Sequence, residues 1–281
     1  QGSLLATLDH TVTAPGGRLL LEWLTRPRRD REELHRRQES VAILAQAALA
    51  RDRVRDVLEG AYDLERLASR ATSTNADAGD LLAVRDSIAT IEALADAVAD
   101  SRLADSPLSA ILKEVDHEAV GALRSELDDA LLEEPPDTVT QGELFQRGYD
   151  PDLDALIERN EAIKQWLEGL ADREKRQHGL SHVSVDRNKT DGYYIQVGKS
   201  ETDAVPDDYE EIKTLKNSKR YTIPELDEKE RAVLRLEERR HELEYELFEQ
   251  LRDRVAEHAS LMHTVGRALA EVDALASLAV H

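Results

Sequence analysis

A chain of 281 residues can bury a substantial core in one large or two modest domains, and without a single cysteine it can hold neither a disulfide framework nor a thiolate metal site. Its 58 acids against 37 bases give a formal charge of −21, which taken alone argues against a nucleic-acid partner, because phosphate binding is driven by basic surface. No signal peptide precedes the first residues and no apolar run approaches the ~20 residues of a bilayer span, so the expectation is a soluble, cytoplasmic protein in a reducing compartment.

Glycine and proline are scarce, alanine, leucine, arginine and glutamate abundant, and apolar residues recur at helical spacing. From Arg18 to about Leu132 the pattern predicts a run of medium helices. Thr13 or Ala14 precedes the first, with Pro15 where a missing N–H costs little, and the Pro27 region ends it. Asp30 caps the next, with Glu33 in capping-box register. The most apolar decapeptide, residues 41–50, reads as a buried helix. Further helices start near Tyr62, Asp77 and His117, and Pro135-Pro136 stops the last. Residues 138–149, flanked by Gly142 and Gly148, read as extended.

From Asp152 a helix places Leu153, Leu156, Asn160, Ile163, Leu167 and Leu170 in a coiled-coil seam with one polar position. At 1.5 Å per residue it makes an arm of about 40 Å up to His178. A second seam runs through Val233, Leu236, Arg240, Leu243, Leu247 and Gln250, so the two predict an antiparallel helix pair. Between them residues 179–224 change character. Val183-Ser184-Val185 and Tyr193-Tyr194-Ile195-Gln196-Val197 are β-type, joined by a turn sequence over residues 188–192. A third extended run ends at Tyr221-Thr222-Ile223, and Pro224 re-enters helix. The predicted fold is mainly α: a helical bundle with a long antiparallel helix pair carrying a small inserted antiparallel β module. The divisions fall at 1–178, 179–224 and 225–281.

Catalytic and cofactor signatures are missing. There is no G-x-x-x-x-G-K-[ST] phosphate loop and no G-x-G-x-x-G fingerprint. His241-Glu242 begins like H-E-x-x-H, but Tyr245 stands where the second ligand belongs. His178 and His182 are four apart with Gly179 between them, so no metal site is expected. Asp128-Asp129 and Glu133-Glu134 read as solvated faces.

Only nine of the 37 basic residues are lysine. High acid, little lysine and few large aromatics resemble the proteins of salt-accumulating halophiles, whose surfaces are covered by solvated carboxylates. In molar salt the Debye length is about 3 Å, so on this reading the charge reports the solvent rather than the partner. The alternative is an ordinary acidic helical scaffold. Five of the nine lysines, Lys189, Lys199, Lys213, Lys216 and Lys219, lie in the 32 residues ending at Arg220. Residues 212–224 contain no acid, while Lys213, Lys216, Lys219 and Arg220 give +4. Lysine is a mobile point charge with three donors, suited to phosphate oxygens, and Thr214 and Asn217 add uncharged donors. On spacing alone two readings stay open: a phosphate-binding stripe, or a basic stripe paired with Asp207, Asp208, Glu210 and Glu211 just upstream.

The segment Lys213-Thr214-Leu215-Lys216-Asn217-Ser218-Lys219-Arg220-Tyr221-Thr222-Ile223-Pro224-Glu225-Leu226 resembles the end of the clamp domain of the MutS family of DNA mismatch-repair ATPases. Asp191-Gly192-Tyr193-Tyr194-Ile195-Gln196-Val197 is similar to that family's clamp strand, and Leu8-Asp9-His10-Thr11-Val12-Thr13-Ala14-Pro15-Gly16-Gly17-Arg18-Leu19-Leu20 to the segment opening its lever helices. Tyr62-Asp63-Leu64-Glu65-Arg66-Leu67, Gly148-Tyr149-Asp150-Pro151-Asp152-Leu153-Asp154 and Val272-Asp273-Ala274-Leu275-Ala276-Ser277-Leu278-Ala279 also match, in family order along the whole chain. Two departures are the acids Asp186 and Asp191 flanking residues 187–189, and the acidic residues 207–211 in a segment that often carries arginine.

The resemblance implies a core lever domain in two parts, 1–178 and 225–281, with the clamp, 179–224, inserted between them. It implies no enzyme activity and no cofactor in this chain, with ATP and magnesium belonging to an ATPase domain of the full-length protein. Phe145 is followed by Gln146-Arg147 and Phe248 by Glu249-Gln250, so the family's Phe-x-Glu mismatch wedge is not in this chain. The implied partners are the double-stranded DNA backbone, a second MutS subunit and a MutL-like protein, with no membrane and a nucleoid-associated location. Expected phosphate contacts are Lys213, Thr214, Lys216, Asn217, Lys219 and Arg220, with Arg187, Asn188, Lys189 and Lys199 secondary. Tyr193, Ile195 and Val197 are expected to face the core, and Tyr194 and Gln196 the opposite side. Alternatives are the same region of a MutS paralogue acting on branched or recombination DNA, or a helical protein-binding scaffold.

Overall fold

The structure is a computed structural model that describes residues 3–99, 101–136, 138–190 and 192–280; Asp191, part of the expected turn and clamp strand, lies outside them. The protein is mainly helical with one four-stranded antiparallel sheet. Compactness divides it into two units, Gln1–Gln146 with Glu246–His281, and Arg147–Tyr245. None of the described helices is long and apolar enough to cross a membrane.

The first unit holds α1 (Leu4–Leu8), α2 (Ala14–Thr25), α3 (Arg31–Gln46), α4 (Ala48–Leu58), α5 (Leu64–Thr72), α6 (Ala78–Ala99), α7 (Pro107–Lys113), α8 (His117–Ala130) and α11 (Ala259–Leu278). Short polar side chains start several of these helices. Asp30 accepts from the Glu32 and Glu33 N–H groups, Asp63 from Arg66 and Asp116 from Ala119. Glu33 does not complete a capping box; its carboxylate pairs with Arg37 one turn on. The decapeptide 41–50, expected as a buried helix, is broken at Ala47 with only Leu44 fully buried, and Leu49 is 88% exposed. Residues 138–149 are extended only in part. Val139–Gln141 is a 3-10 turn, whereas Leu132 N–H donates to Leu144 O and Gln146 N–H to Ala130 O, both at 2.9 Å.

α11 packs against α2, α3, α4, α5, α6 and α7, and its buried Asp273 joins it to the start of the chain. That carboxylate accepts from Val12 N–H (3.0 Å), Thr13 N–H (2.8 Å) and Thr13 Oγ1 (2.6 Å). Thr13 Oγ1 in turn accepts from Gly16 N–H and so caps α2. Burial raises the Asp273 carboxyl above its ordinary value, opposed by these hydrogen bonds. Gly16 must be glycine, because a Cβ there would fall 2.2 Å from Asp273 Oδ2. One turn on, Ser277 Oγ donates to Leu8 O and accepts from His10 N–H, each at 2.8 Å.

The second unit is built on α9 (Pro151–His178), the sheet, and the first part of α10 (Pro224–Glu257). Asp150 caps α9 by accepting from Asp152 and Leu153, and Gly179 ends it in the left-handed conformation at φ 70°. Four strands follow: β1 (Val183–Asn188), β2 (Gly192–Gly198), β3 (Glu210–Thr214) and β4 (Ser218–Thr222), in the spatial order β1-β2-β4-β3. Their inner face packs Val183, Ile195, Val197 and Tyr221 against Leu167 and Leu170 of α9 and Leu226 of α10. Tyr193 joins this cluster, as its period-two position predicts. Arg173 lies 3.8 Å from Glu225, and two turns earlier on α9 the Trp166 ring lies 5.6 Å from Lys229 Nζ, so α9 and α10 run antiparallel here.

Two local features fix the sheet on the helices. Glu174, buried in α9, accepts the Tyr209 hydroxyl and lies 3.4 Å from His178 Nε2; burial raises the Tyr209 phenol far above its ordinary range. Gly192 has φ +69°, and a Cβ there would fall 2.6 Å from the Glu230 carboxylate of α10. β3 was not expected as a strand. It is an acidic edge strand exposed along its whole length, so no period-two burial marks it in the sequence.

The α9 seam is buried at Leu153, Asn160, Leu167 and Leu170 and half-buried at Leu156 and Ile163. The α10 seam holds at Val233 and half-buried Leu236, Arg240, Leu243 and Leu247, but Gln250 is exposed. Beyond Tyr245 the buried stripe is Phe248, Leu251 and Val255, because that end of α10 packs in the first unit and takes its phase from a different core.

Replacing Asp273 with alanine would strand the part-buried Val12 and buried Thr13 N–H groups at about 1–3 kcal/mol each. Urea unfolding of Asp273→Ala is therefore expected to show a loss of about 3 kcal/mol or more, whereas a change below about 1 kcal/mol would show that the closure contributes little.

Candidate nucleic-acid interface

The pleat sorts the expected contacts onto two faces of the sheet. Ile195 pairs with Tyr221 and Val197 with Lys219, so Lys219 shares the inner face with the core. Thr214 pairs with Lys219 and Glu211 with Tyr221, which puts both on that face too. There Lys219 Nζ lies 2.8 Å from Glu211 Oε2, and the Thr214 hydroxyl donates to Glu211 Oε1. These two hydrogen bonds, Lys219 first, hold the Glu211 carboxyl below its ordinary value, and the same contact raises the Lys219 ammonium. The acidic-pairing reading left open by the sequence is thus realised at Lys219 and Thr214.

Arg220 and Lys213 occupy the other face. Arg220 pairs with Gln196 and Lys213 with Arg220 across the ladder. The Arg220 guanidinium lies 4.1 Å over the Tyr194 ring and donates from Nε to Gln196 Oε1 at 3.3 Å. Tyr194 and Gln196 therefore do face outward, though Tyr194 is buried under Arg220. Ser184, opposite Gln196, and Ser218, opposite Gly198, complete this polar surface. A two-residue turn, Lys216-Asn217, joins β3 to β4, closed by Leu215 N–H donating to Ser218 O at 2.9 Å.

At that end the outward face hollows into a shallow groove of about 670 Å³. Lys199, Ser200, Lys216, Asn217 and Ser218 border it, with Ser184 and Gln196 alongside. Lys199, Lys213 and Lys216 have exposed side chains and no ion-pair partner among the described residues. At the opposite end of β1, Arg187 lies 5.3 Å over the inner-facing Tyr193 ring, and Asn188 Oδ1 accepts Thr190 N–H in the turn that carries exposed Lys189. The ten expected residues thus form three groups: Lys199, Lys213, Lys216, Asn217 and Arg220 toward the outward face and groove; Thr214 and Lys219 on the inner face; and Arg187, Asn188 and Lys189 at the far turn.

Comparison with known proteins matches the chain to the family model described as MutS domain III, over residues 1–279. The chain belongs to the MutS family. It is 65% identical over 282 residues to "DNA mismatch repair protein MutS 1" of Haloarcula marismortui, covering 100% of this chain and 31% of that protein. The MutS 1 of Halobacterium salinarum strain R1 is 59% identical over 286 residues, covering 100% and 33% respectively. The MutS of Geobacillus kaustophilus is 39% identical over 280 residues, covering 99% and 31%. The chain therefore spans about a third of the length of these relatives. The first two come from halophilic organisms, in keeping with its acidic composition.

The MutS-like motifs coincide with the closures in the structure. The MutS-like segment from Leu8 holds Thr13 and Gly16, and the terminal motif holds their partner Asp273. The clamp-strand motif places Gly192 against Glu230 and Tyr193 in the core. Sequence reasoning passed over Ser184, Ser200, Ser218 and Gln196 as donors, since no charge marks them. Carrying the outward phase of Tyr194 and Gln196 across the sheet finds Ser184 and Ser218.

The Glu211–Lys219 contact has a pH signature. A depressed carboxyl pKa contributes stability that is present above the ordinary carboxylate range and lost as pH falls through the lowered value. Carboxyl-carbon NMR should titrate Glu211 below an ordinary glutamate in the parent and closer to it in Lys219→Met; identical titrations would remove the ion pair from the account.

Proposed function

We propose that the chain is the lever-and-clamp part of a mismatch-repair protein, in which the sheet grips duplex DNA through its backbone without reading sequence. The single observation that carries this reading is the outward face: in a chain of charge −21, it gathers Lys199, Lys213, Lys216 and Arg220 around an acid-free groove. Arg220 is held over the Tyr194 ring and by its Nε bond to Gln196, which lowers the entropy it loses on meeting a phosphate. Lys199 and Lys216 are exposed and keep the freedom to follow an irregular backbone. The family match and the relatives' mismatch-repair names support the same reading.

The long helices then act as the lever. α10 has 34 residues, about 50 Å at the helical rise, and supplies residues to both compact units. Closure of the clamp on DNA would be passed along such a helix toward the ATP- and magnesium-binding domain expected of the full-length protein. The full-length protein is proposed to work in the cytoplasm on nucleoid DNA as a dimer of two such subunits, with a MutL-like partner.

Duplex binding by the full-length protein across a salt series tests the grip. Reversing Lys199, Lys213, Lys216 and Arg220 to glutamate should flatten the plot of log affinity against log salt by about 0.9 for each phosphate that is no longer neutralised. Lys219→Met, on the inner face, should leave the slope close to the parent's. An unchanged slope in the fourfold variant would overturn the proposal.

A further inference from the structure

The groove beside the Gly198–Ser218 pair carries donors of a second kind, which have no charge. Arg220 Nε occupies Gln196 Oε1 at 3.3 Å, which fixes the amide and leaves its two N–H groups as donors on the outward face. Ser200 and Ser218 add hydroxyls and Asn217 an amide. The floor is braced by backbone bonds: Gly198 N–H donates to His182 O at 2.9 Å and Lys199 N–H to Asn217 O at 3.1 Å. No carboxylate stands among the groove's lining residues, although 58 of the chain's 281 residues are acids. Four other concavities of the surface each carry at least one. Two acids lie near this groove, Asp186 on the same outward face opposite Tyr194 and Glu201 beyond Ser200, and both hold hydrogen bonds. Asp186 accepts the Ser184 hydroxyl at 3.4 Å, and Glu201 accepts the backbone N–H groups of Ser181 (3.2 Å) and His182 (2.8 Å) and contacts the His182 ring.

We propose that this groove seats one phosphodiester of the DNA backbone, with the neutral donors of Gln196, Ser200, Asn217 and Ser218 supplying a contact that outlasts molar salt. It rests on the reading of the sheet as a backbone grip and divides that grip into two physically different parts. A lysine meeting a phosphate gains by releasing condensed counterions, and that gain fades with salt by about 0.9 in the logarithmic slope per phosphate. A hydroxyl or amide donating to the same oxygen neutralises no charge and releases no counterion, so its share of the affinity is nearly constant with salt. Where the Debye length is about 3 Å, only groups at hydrogen-bond distance hold the backbone, and a site built of neutral donors is the form that keeps its strength.

Full-length protein and duplex DNA, titrated from low to molar potassium chloride, separate the two parts. The variant S200A/N217A/S218A is expected to bind about tenfold or more weakly at every salt concentration, on a line parallel to the parent's. The variant K199M/K216M should instead converge on the parent as salt rises, its slope smaller by up to about 1.8. Thermal unfolding reports whether each variant is intact; if the triple variant is destabilised, Ser218→Ala alone should still give a parallel, smaller displacement. A neutral-donor deficit that vanishes with salt, or no deficit at all, would overturn the phosphate seat. In that case Lys213→Glu with Arg220→Glu still flattening the slope would leave the backbone grip standing, and no effect from that pair either would remove both.

Discussion

A sheet packed on helices has one face to give away. In this protein the inner face is committed to Leu167, Leu170 and Leu226, and it takes Val183, Ile195, Val197 and Tyr221 with it. Because side chains alternate along a strand, that commitment fixes the direction of the other residues in the sheet, with a register shift between Glu211 and Lys213 resetting the phase within β3. It turns Lys219 and Thr214 inward, where Glu211 holds them, and turns Lys213, Arg220, Gln196, Ser184 and Ser218 outward. The basic segment that looks like one stripe in the sequence is two half-stripes back to back. Shifting β4 by a single residue would exchange them and bury the cations against the helices.

The same constraint reconciles the acidic chain with an anionic partner. Net charge acts over a distance set by salt, and in a saline interior that distance is about 3 Å, close to a hydrogen-bond length. Under such conditions the −21 of the whole chain would be nearly invisible to a phosphate in the proposed seat, and only its immediate neighbours would matter. Those neighbours are lysines, hydroxyls and amides, with the nearby Glu201 turned to backbone N–H groups. Of the acids in residues 207–211, Glu211 ties down Lys219 on the inner face, and Glu210, opposite Thr222, lies on the outward face at the end of β3 away from the groove.

Much of the fold was legible because short-range chemistry decided it. Asp30, Asp63, Asp116 and Asp150 announce helix starts by their type and position, and the α9 seam follows from its spacing. What escaped was decided by packing at long range. Nothing local breaks α3 from α4 at Ala47, and the exposed edge of β3 has no burial pattern to read. The heptad seam of α10 fails at Gln250 because its two ends pack in different cores. In the candidate site, composition located the cations but not their faces, which required the register of β4 between β2 and β3. The Asp273 closure likewise joins motifs some 260 residues apart and shows only in three dimensions.

The chain has no cysteine, so single cysteines placed on either face can report which side meets DNA. The most direct measurement compares Lys213→Cys with Thr214→Cys, adjacent residues on opposite faces of β3, in full-length protein whose other cysteines, if present, are removed. Each is mixed with duplex DNA carrying a thiol-reactive group on its backbone. The account predicts efficient cross-linking from position 213 and little from position 214. Equal yields, or a higher yield from position 214, would contradict an outward-facing grip.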